Sequence, residues 1–554
     1  MAFSIIRRAT TLGLTALAVA GLVFVPSVAQ AAEAVEARSA VIRPVRQCAG
    51  LPKDFQIPGA PTHITATAVV PATATDPEHC DVQGFVEPAV KFRLKLPTSS
   101  YTGRYLQSGC GGLCGAIPDL LFPDNCLPRN GEFAIAATDD GHEGKGTFPF
   151  LDGAWAANNQ AARDDWSFRA PHVVSLASKR IIATYYGAPP RHSYFSGCSN
   201  GGREALLLAQ RYPDDFDGII AGAPGAYISA LMVYQAWLAR ANTAPDGSSI
   251  LTPDKLATLH NAVIAACDNL DGLLDGQLDD PRRCKYDPIL LRCPANTDQP
   301  DCLTPAQVET TRKLYAGPTD EAGRLLYPGY QPYGSELAWN GWVTPIPGTG
   351  SIAGLLADNT LKYLAYPIGT PHSSLADFRF TSAEFHKLTA EGYKANSLNL
   401  DLSAFRRAGG KLVIWHGWAD MAIPPHGTLD YYDRLVQRSG GLARTQQWAR
   451  LFMVPSLYHC AEGGKLGEFD PLRETVAWVE WGQAPQKVIA TGRDEQGNVL
   501  RTRPVFPYPL QAKYDGSGSI DDAADFVAVP PQSPPKDQIS WVGTYQYAIP
   551  GPRA

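Results

Sequence analysis

Gly197-Cys198-Ser199-Asn200-Gly201 is a G-x-S-x-G stretch, the signature of a sharp strand-to-helix turn that lifts a serine hydroxyl clear of the backbone. An apolar run over 192–196 reads as the strand entering it, and a helical pattern over 202–211, stopped by Tyr212-Pro213, leaves it. About 260 residues further on, Tyr458-His459-Cys460 again sets a catalytic residue type beside a cysteine. If Cys198 and Cys460 bond, the serine and the histidine are stapled together.

Working outward, short apolar runs that end in Gly, Asp or His recur at 103–107, 133–137, 218–221, 411–415 and 451–454. They read as buried parallel strands. Helical patterns, notably over 169–185 and 202–211, alternate with them as an α/β sheet requires. Between Pro224 and about Ser403 the alternation yields to aromatic-, proline- and cysteine-rich sequence. Ligands of open α/β sheets bind outside the carboxyl ends of the strands, so an insertion there lies over the site as a lid.

A serine hydroxyl needs a base within hydrogen-bond reach and a carboxylate to orient that base. The order Ser, Asp, His is that of α/β-hydrolases. Asp420, in the loop after the 411–415 strand, is the expected acid, although an ordinary surface acid is the plainer alternative. His459, after the 451–454 strand, is the expected base; His416 and His426 compete, but only His459 carries a neighbouring cysteine. Backbone N–H donors for the oxyanion are expected from Asn200 and from Gly111 and Gly112 in the turn Gly109-Cys110-Gly111-Gly112, which also reads as a mere tight turn. The expected architecture is an α/β-hydrolase fold with a large lid domain inserted before the catalytic Asp: core over 32–224, lid over 225–403, core and a C-terminal wrap over 404–554.

Arg7-Arg8, the apolar run from Thr11 to Val25 and Ala29-Gln30-Ala31 read as an export signal over 1–31, by the general or the twin-arginine route. The mature chain is expected to be secreted, extracellular or periplasmic. Removing 1–31 takes away two arginines and no acids, moving the net charge from -6 to -8, which disfavours nucleic acid or an anionic membrane as partner. The 11 cysteines suit an oxidising compartment, with an odd one left over. Cys267 with Cys284, and Cys293 with Cys302, close short loops and read as local bridges; Cys48, Cys80, Cys110, Cys114 and Cys126 stay unassigned.

Cys-Ser, Asp and His-Cys in this order, with a large insertion before the Asp, resemble the tannase and feruloyl esterase family. The likeness runs from about Cys48 to the C-terminus and is most specific at Gly197-Cys198-Ser199-Asn200-Gly201-Gly202-Arg203. It implies a secreted serine esterase with a lid, a Cys198–Cys460 bridge beside the active site, and small aromatic esters, hydroxycinnamoyl, galloyl or terephthalate, as substrates of plant cell-wall or tannin type. Trp237, Tyr330, Tyr333, Trp339, Trp342 and Phe378 are aromatic wall candidates, with packing of the lid as the alternative.

The acidic run Cys267-Asp268-Asn269-Leu270-Asp271-Gly272-Leu273-Leu274-Asp275-Gly276-Gln277 offers the hard oxygens Ca²⁺ prefers, though not at EF-hand spacing. The resemblance implies a structural Ca²⁺ held by Asp268, Asp271 and Asp275 with the carbonyls of Leu273 and Gln277; a solvated acidic turn is the alternative. Two departures stand out: no cysteine near Phe506 or Phe526 supplies the family's further C-terminal bridge, and Ser456-Leu457-Tyr458 is bulkier than the usual turn before the histidine. Two rival readings are a catalytically inactive secreted calcium-dependent binding protein on the same scaffold, and a redox role for Cys198 and Cys460, which no Cys-x-x-Cys accompanies.

Overall fold

The computed structural model describes residues 40–120, 131–531 and 536–553. The export signal, Cys126 and part of the second proline cluster fall outside them. Six of its strands are those legible as apolar runs: β5 (Arg104–Ser108), β6 (Phe133–Thr138), β7 (His192–Cys198), β8 (Gly218–Gly222), β9 (Lys411–Gly417) and β10 (Ala449–Val454). They pair in parallel in the order β6-β5-β7-β8-β9-β10. Their middles are buried on both faces, which is why each carries an apolar run, such as Leu412–Trp415 in β9. In β9, Leu412 and Ile414 enter one core while Val413 and Trp415 enter the other.

Upstream lie strands the sequence reading did not find: β1 (Asp54–Phe55), β2 (Thr62–Val70), β3 (His79–Val86) and β4 (Val90–Pro97). They extend the sheet antiparallel from the free edge of β6, giving ten strands in all. Their sequences, such as Val-Lys-Phe-Arg-Leu-Lys-Leu-Pro in β4, alternate apolar with polar or charged residues. A search for continuous apolar runs passes over that pattern. A Cys48–Cys80 disulfide ties the first turn of the described chain to β3.

The chain departs one way from β5 to β6 and returns to the other side of β5 as β7, making a topological switch at which ligands of α/β sheets bind. After β8 it leaves the sheet for nearly two hundred residues and re-enters beside β8 as β9. No sheet strand forms in this stretch; instead it holds helices, among them Ile228–Ala241, Pro253–Cys267, Pro305–Ala316 and Ile352–Tyr363. The last two begin at side-chain caps: Thr304 caps the first with Gln307 reaching back, and the Ser351 side chain accepts from Gly354 N–H. The hairpin β11 (Val488–Arg493) and β12 (Val499–Val505) then opens a C-terminal segment with no α-helix among its described residues.

The helix Asn200–Arg211 lies so close to β8 that a Cβ on Gly202 would sit 2.2 Å from Gly222 O and 2.9 Å from the Cα of Pro224. Both obstacles are backbone and cannot rotate away. Gly202→Ala is therefore expected to lower stability by about 1–3 kcal/mol, whereas Gly50→Ala, with nothing within 4 Å, should stay within about 0.5 kcal/mol of the parent. Urea unfolding of both variants checks this; equal midpoints would show that helix and strand have room to separate.

Candidate active site

Ser199 links β7 to the helix Asn200–Arg211 with φ 64° and ψ −121°, a conformation that persists only when its surroundings over-determine it. They do so here. Its N–H donates to Gly222 O at 3.0 Å, and its carbonyl accepts from Gly225 N–H at 2.9 Å and Arg203 N–H at 3.1 Å. A Cβ at Gly197 would lie 2.5 Å from the carbonyl carbon of Gly201, so the tight turn excludes any side chain there.

Asp420, fully buried in the loop after β9, uses both oxygens. Oδ1 accepts from the N–H groups of Ala422 and Ile423, each at 2.8 Å. Oδ2 meets Nδ1 of His459 at 2.8 Å and Nε2 of His416 at 3.1 Å. Burial alone would raise the carboxyl's pKa, but the charge of His459 and the bonds from both imidazoles prevail and hold it well below the usual carboxylate range. His416 is a brace and not a base: wholly buried, it presents Nε2 also to Ile423 O at 2.7 Å and Nδ1 to Thr428 Oγ1 at 2.8 Å. His426 is buried too, and desolvation pushes it down to about 3. Of the three histidines only His459 lines the same cavity as Ser199. A Cys198–Cys460 disulfide joins the residues adjacent to the serine and the histidine.

That cavity is narrow, about 30 Å³, between the ends of the strands and the insertion. Ser199, Asn200, Gly112, His459, Trp342 and Gln235 line it with aliphatic side chains, and no Lys or Arg is among its described lining residues. A larger hollow, about 300 Å³, lies against helices Ile228–Ala241 and Ile352–Tyr363 and touches none of Ser199, Asp420 or His459. Around the oxyanion position, Asn200 opens its helix, so its N–H has no intrahelical acceptor. The N–H groups of Gly111 and Gly112 donate to no backbone carbonyl among the described residues. Gly112, at φ +58°, sits under Phe150, and a Cys110–Cys114 disulfide closes the loop that carries both glycines.

Comparison with known proteins matches residues 74–529 to the model of the tannase and feruloyl esterase family. The chain belongs to that family. It is 33% identical to the mono(2-hydroxyethyl) terephthalate hydrolase of Piscinibacter sakaiensis, over 86% of this chain and 90% of that protein. It is 32% identical to a probable feruloyl esterase of Arthroderma benhamiae, over 78% and 82% of the two chains. The crystal structure of feruloyl esterase B from Aspergillus oryzae superposes with a TM-score of 0.74 at 25% identity, covering 84% of this chain and 97% of that one. The protein is thus a carboxylic ester hydrolase with the α/β-hydrolase fold.

In this tannase-family chain the acidic loop is closed by Cys267–Cys284, and Cys293–Cys302 bridges the next turn. Asp268 accepts from Gly276 N–H through both oxygens, at 3.2 and 3.0 Å, and Asp271 from Leu273 N–H at 3.0 Å. A fourth acid, Asp279, packs beside them and accepts from Gln277 Nε2 at 3.0 Å. Among the described residues only Asp275 of the four is in a salt bridge, with Arg501 at 3.3 Å and Arg503 at 2.5 Å from β12; its Oδ1 is buried without any donor. Crowded carboxylates with an orphaned buried oxygen suit a hard cation by ligand type. No three of them bring oxygens within 4.8 Å of one another, so the fit is one of chemistry and not of finished geometry.

Of the aromatic wall candidates, only Trp342 lines the catalytic cavity. Its ring lies 5.9 Å from that of His459, and its Nε1 donates to Gln235 Oε1 at 3.0 Å. Gln235 in turn donates to Ala422 O at 2.7 Å, so one buried amide links the insertion to the loop of Asp420. Trp339 and Phe378 are core, and Trp237, Tyr330 and Tyr333 pack on Phe380, His426 and Tyr315. Gln235 escaped the sequence reading because a glutamine inside an apolar helix carries no spacing signal. Arg501 and Arg503 escaped it because their partners lie over two hundred residues away.

Breaking the Cys198–Cys460 bond by replacing both residues with Ser is expected to reduce turnover more than removing Cys293–Cys302. The chain-entropy stabilisation from closing so long a loop is about 5 kcal/mol, and an error of about 1 Å between nucleophile and base can cost on the order of a hundredfold in rate. Initial rates on a soluble ester, with melting curves for both double variants, read the two effects separately. Equal turnover in the two would assign the bridge to stability alone.

Proposed function

We propose that the protein is a secreted serine esterase that cleaves small esters of aromatic carboxylic acids, hydroxycinnamoyl, galloyl or related, through Ser199, His459 and Asp420. The observation that carries this reading is the 2.8 Å contact of His459 Nδ1 with Asp420 Oδ2, in a cavity that His459 shares with Ser199 on its strained turn. His459 Nε2 takes the serine proton as Oγ attacks the ester carbonyl, and returns it to the leaving alcohol. Asp420 holds the ring's tautomer and balances the imidazolium. The N–H groups of Asn200, Gly111 and Gly112 receive the oxyanion. Water, activated by the same histidine, then frees the acid from the acyl-enzyme. The insertion over 225–403 acts as the lid, and Trp342 with the aliphatic lining offers a planar acyl group a desolvated wall.

The relatives' names, feruloyl esterase and mono(2-hydroxyethyl) terephthalate hydrolase, support an aromatic acyl group. Within that class a terephthalate monoester carries a free carboxylate, and burying it unpaired costs several kcal/mol. The absence of Lys and Arg from the described lining residues therefore favours neutral esters. Export agrees with the five disulfides of the described chain, and among the described residues no helix is long and apolar enough to cross a membrane. The acidic loop would hold structural Ca²⁺ through Asp268, Asp271 and Asp275 and the carbonyls of Leu273 and Gln277. Bound there, the ion supplies charge compensation to the lid and no chemistry to the ester.

Specificity constants for methyl ferulate, methyl gallate, a terephthalate monoester and a butyrate ester test the substrate class: ferulate or gallate should lead, and the butyrate should trail. Ser199→Ala should abolish turnover with the fold intact, and Asp420→Asn and His459→Ala should be similarly crippled; retained turnover removes a residue from the triad. Parity of butyrate with the aromatic esters would defeat the aromatic assignment and leave the esterase.

Calcium has its own readout. A ligand that binds only the native state stabilises it by about 2.7 kcal/mol at a hundredfold excess over Kd, so a chelator should lower Tm and added Ca²⁺ restore it. An unchanged melting curve, with no metal by elemental analysis, would return the loop to a plain acidic turn.

A further inference from the structure

The elbow and the glycine loop that supply the oxyanion donors are joined by a side chain outside the triad. Glu204, one turn into the helix Asn200–Arg211, is 1% exposed. Its Oε1 accepts from Nδ2 of Asn200 at 2.7 Å, and the same amide donates to Cys110 O at 3.3 Å. The N–H of Cys110 faces the carboxylate as well. Asn200 Oδ1 is fixed from the other side by Nε of Arg203 at 2.7 Å. One carboxylate therefore holds the residue whose backbone supplies one donor and the root of the loop that supplies the others. The junction has no slack: a Cβ on Gly109 would lie 2.7 Å from Gly201 Cα and 2.8 Å from Glu204 Oε2.

Glu204 has a second partner. Its Oε2 and Oδ1 of Asp140, in the turn after β6, are both buried and meet no other donor, while the two carboxyls are in hydrogen-bonding contact. Two carboxyl groups approach in this way only with a proton between them. Because Glu204 already accepts from Asn200 and faces Cys110 N–H, the anion belongs on Glu204 and the proton on Asp140. Oδ2 of Asp140 lies 3.2 Å from Cys110 Sγ, which in a disulfide has no hydrogen to give. Burial and Glu204 hold the Asp140 carboxyl well above its ordinary range, and burial raises Glu204 while Arg203 and its hydrogen bonds oppose the rise. Around the pair, Arg203 opposes proton binding and Asp165, whose charge is offset by its salt bridge to Arg169, favours it; Asp139 is the neighbouring acid, and buried His142, pushed down to about 4, stays neutral.

We propose that Glu204, bridged by one proton to Asp140, is a positioning residue that sets the spacing between the Asn200 donor and the Gly111–Gly112 donors. The inference rests on the reading of Ser199 as nucleophile. It follows that hydrolysis should depend on the shared proton. As pH rises and the proton leaves, two carboxylates repel beneath the loop and the donors lose register.

Steady-state kinetics on a neutral ester from pH 5 to 10 test this. Glu204→Ala is expected to lower kcat by about 10–100-fold with KM within about threefold, because oxyanion donors act on the transition state. Glu204→Gln, which can accept from Asn200 and donate to Asp140, should recover most of that loss. Wild-type kcat should fall on the alkaline side, and Asp140→Asn, whose amide hydrogens do not ionise there, should flatten that limb. Wild-type kcat in Glu204→Ala, or an alkaline limb identical in the parent and Asp140→Asn, would overturn the inference. If melting curves show Glu204→Ala unfolded, the Asp140→Asn profile alone decides. Ser199→Ala runs alongside: turnover there would defeat the triad reading, whereas a dead Ser199→Ala beside a fully active Glu204→Ala defeats only this one.

Discussion

The backbone turn at Ser199, held at φ 64°, constrains everything else at the site. It requires that nothing project from Gly197 or Gly201, and so permits the glycine loop after β5 to touch the elbow backbone. That contact sets the glycine loop, the proposed source of oxyanion donors, against the elbow. The same turn presents Cys198 to Cys460, which draws the loop of His459 across from β10. Asp420 then reaches His459 from the strand between, its other oxygen occupied by two backbone N–H groups. Each partner is anchored at the end of a parallel strand, so the sheet acts as a rigid rack from which short loops converge.

What was legible in the sequence follows from which signals are local. The six parallel strands were readable because burial on both faces leaves unbroken apolar runs, and Ser199, Asp420 and His459 because each falls just past such a run. The antiparallel strands β1–β4 were not, since polar and charged residues interrupt their apolar ones even where both are buried. Cys267–Cys284 and Cys293–Cys302 close loops of 17 and 9 residues and could be read by proximity. Cys48–Cys80 and Cys110–Cys114 could not, because three-dimensional neighbours and not spacing decided among five unassigned cysteines. The Glu204–Asp140 pair was illegible for a related reason. A glutamate inside a helix reads as a solvated face until the packing shows it against another acid.

Lid and core are tied by polar contacts as well as by apolar packing. Gln235 spans from the Trp342 indole to the carbonyl of Ala422, so the wall of the cavity and the loop of the catalytic acid share one buried amide. Leaving either partner unmet would cost the desolvation of a buried polar group, about 1–3 kcal/mol. Arg203 does the same from the elbow helix, donating to Ser167 O and Ala395 O at 2.7 and 3.1 Å. The insertion is thereby registered to the helix Asn200–Arg211 and not merely laid across it.

The reach of β12 into the acidic loop bears on the order in which the molecule can be assembled. Asp275 finds Arg501 and Arg503 only after more than two hundred further residues have been made. Until then the insertion carries its acids without those cations. Cys198 is in the same position, since Cys267 and Cys284 emerge long before Cys460. A chain threaded into an oxidising compartment from its N-terminus therefore meets wrong sulfur partners before the right one. Pairing of Cys267 with Cys284, 17 residues apart, and of Cys293 with Cys302, 9 residues apart, takes four thiols out of competition for Cys198 before Cys460 arrives.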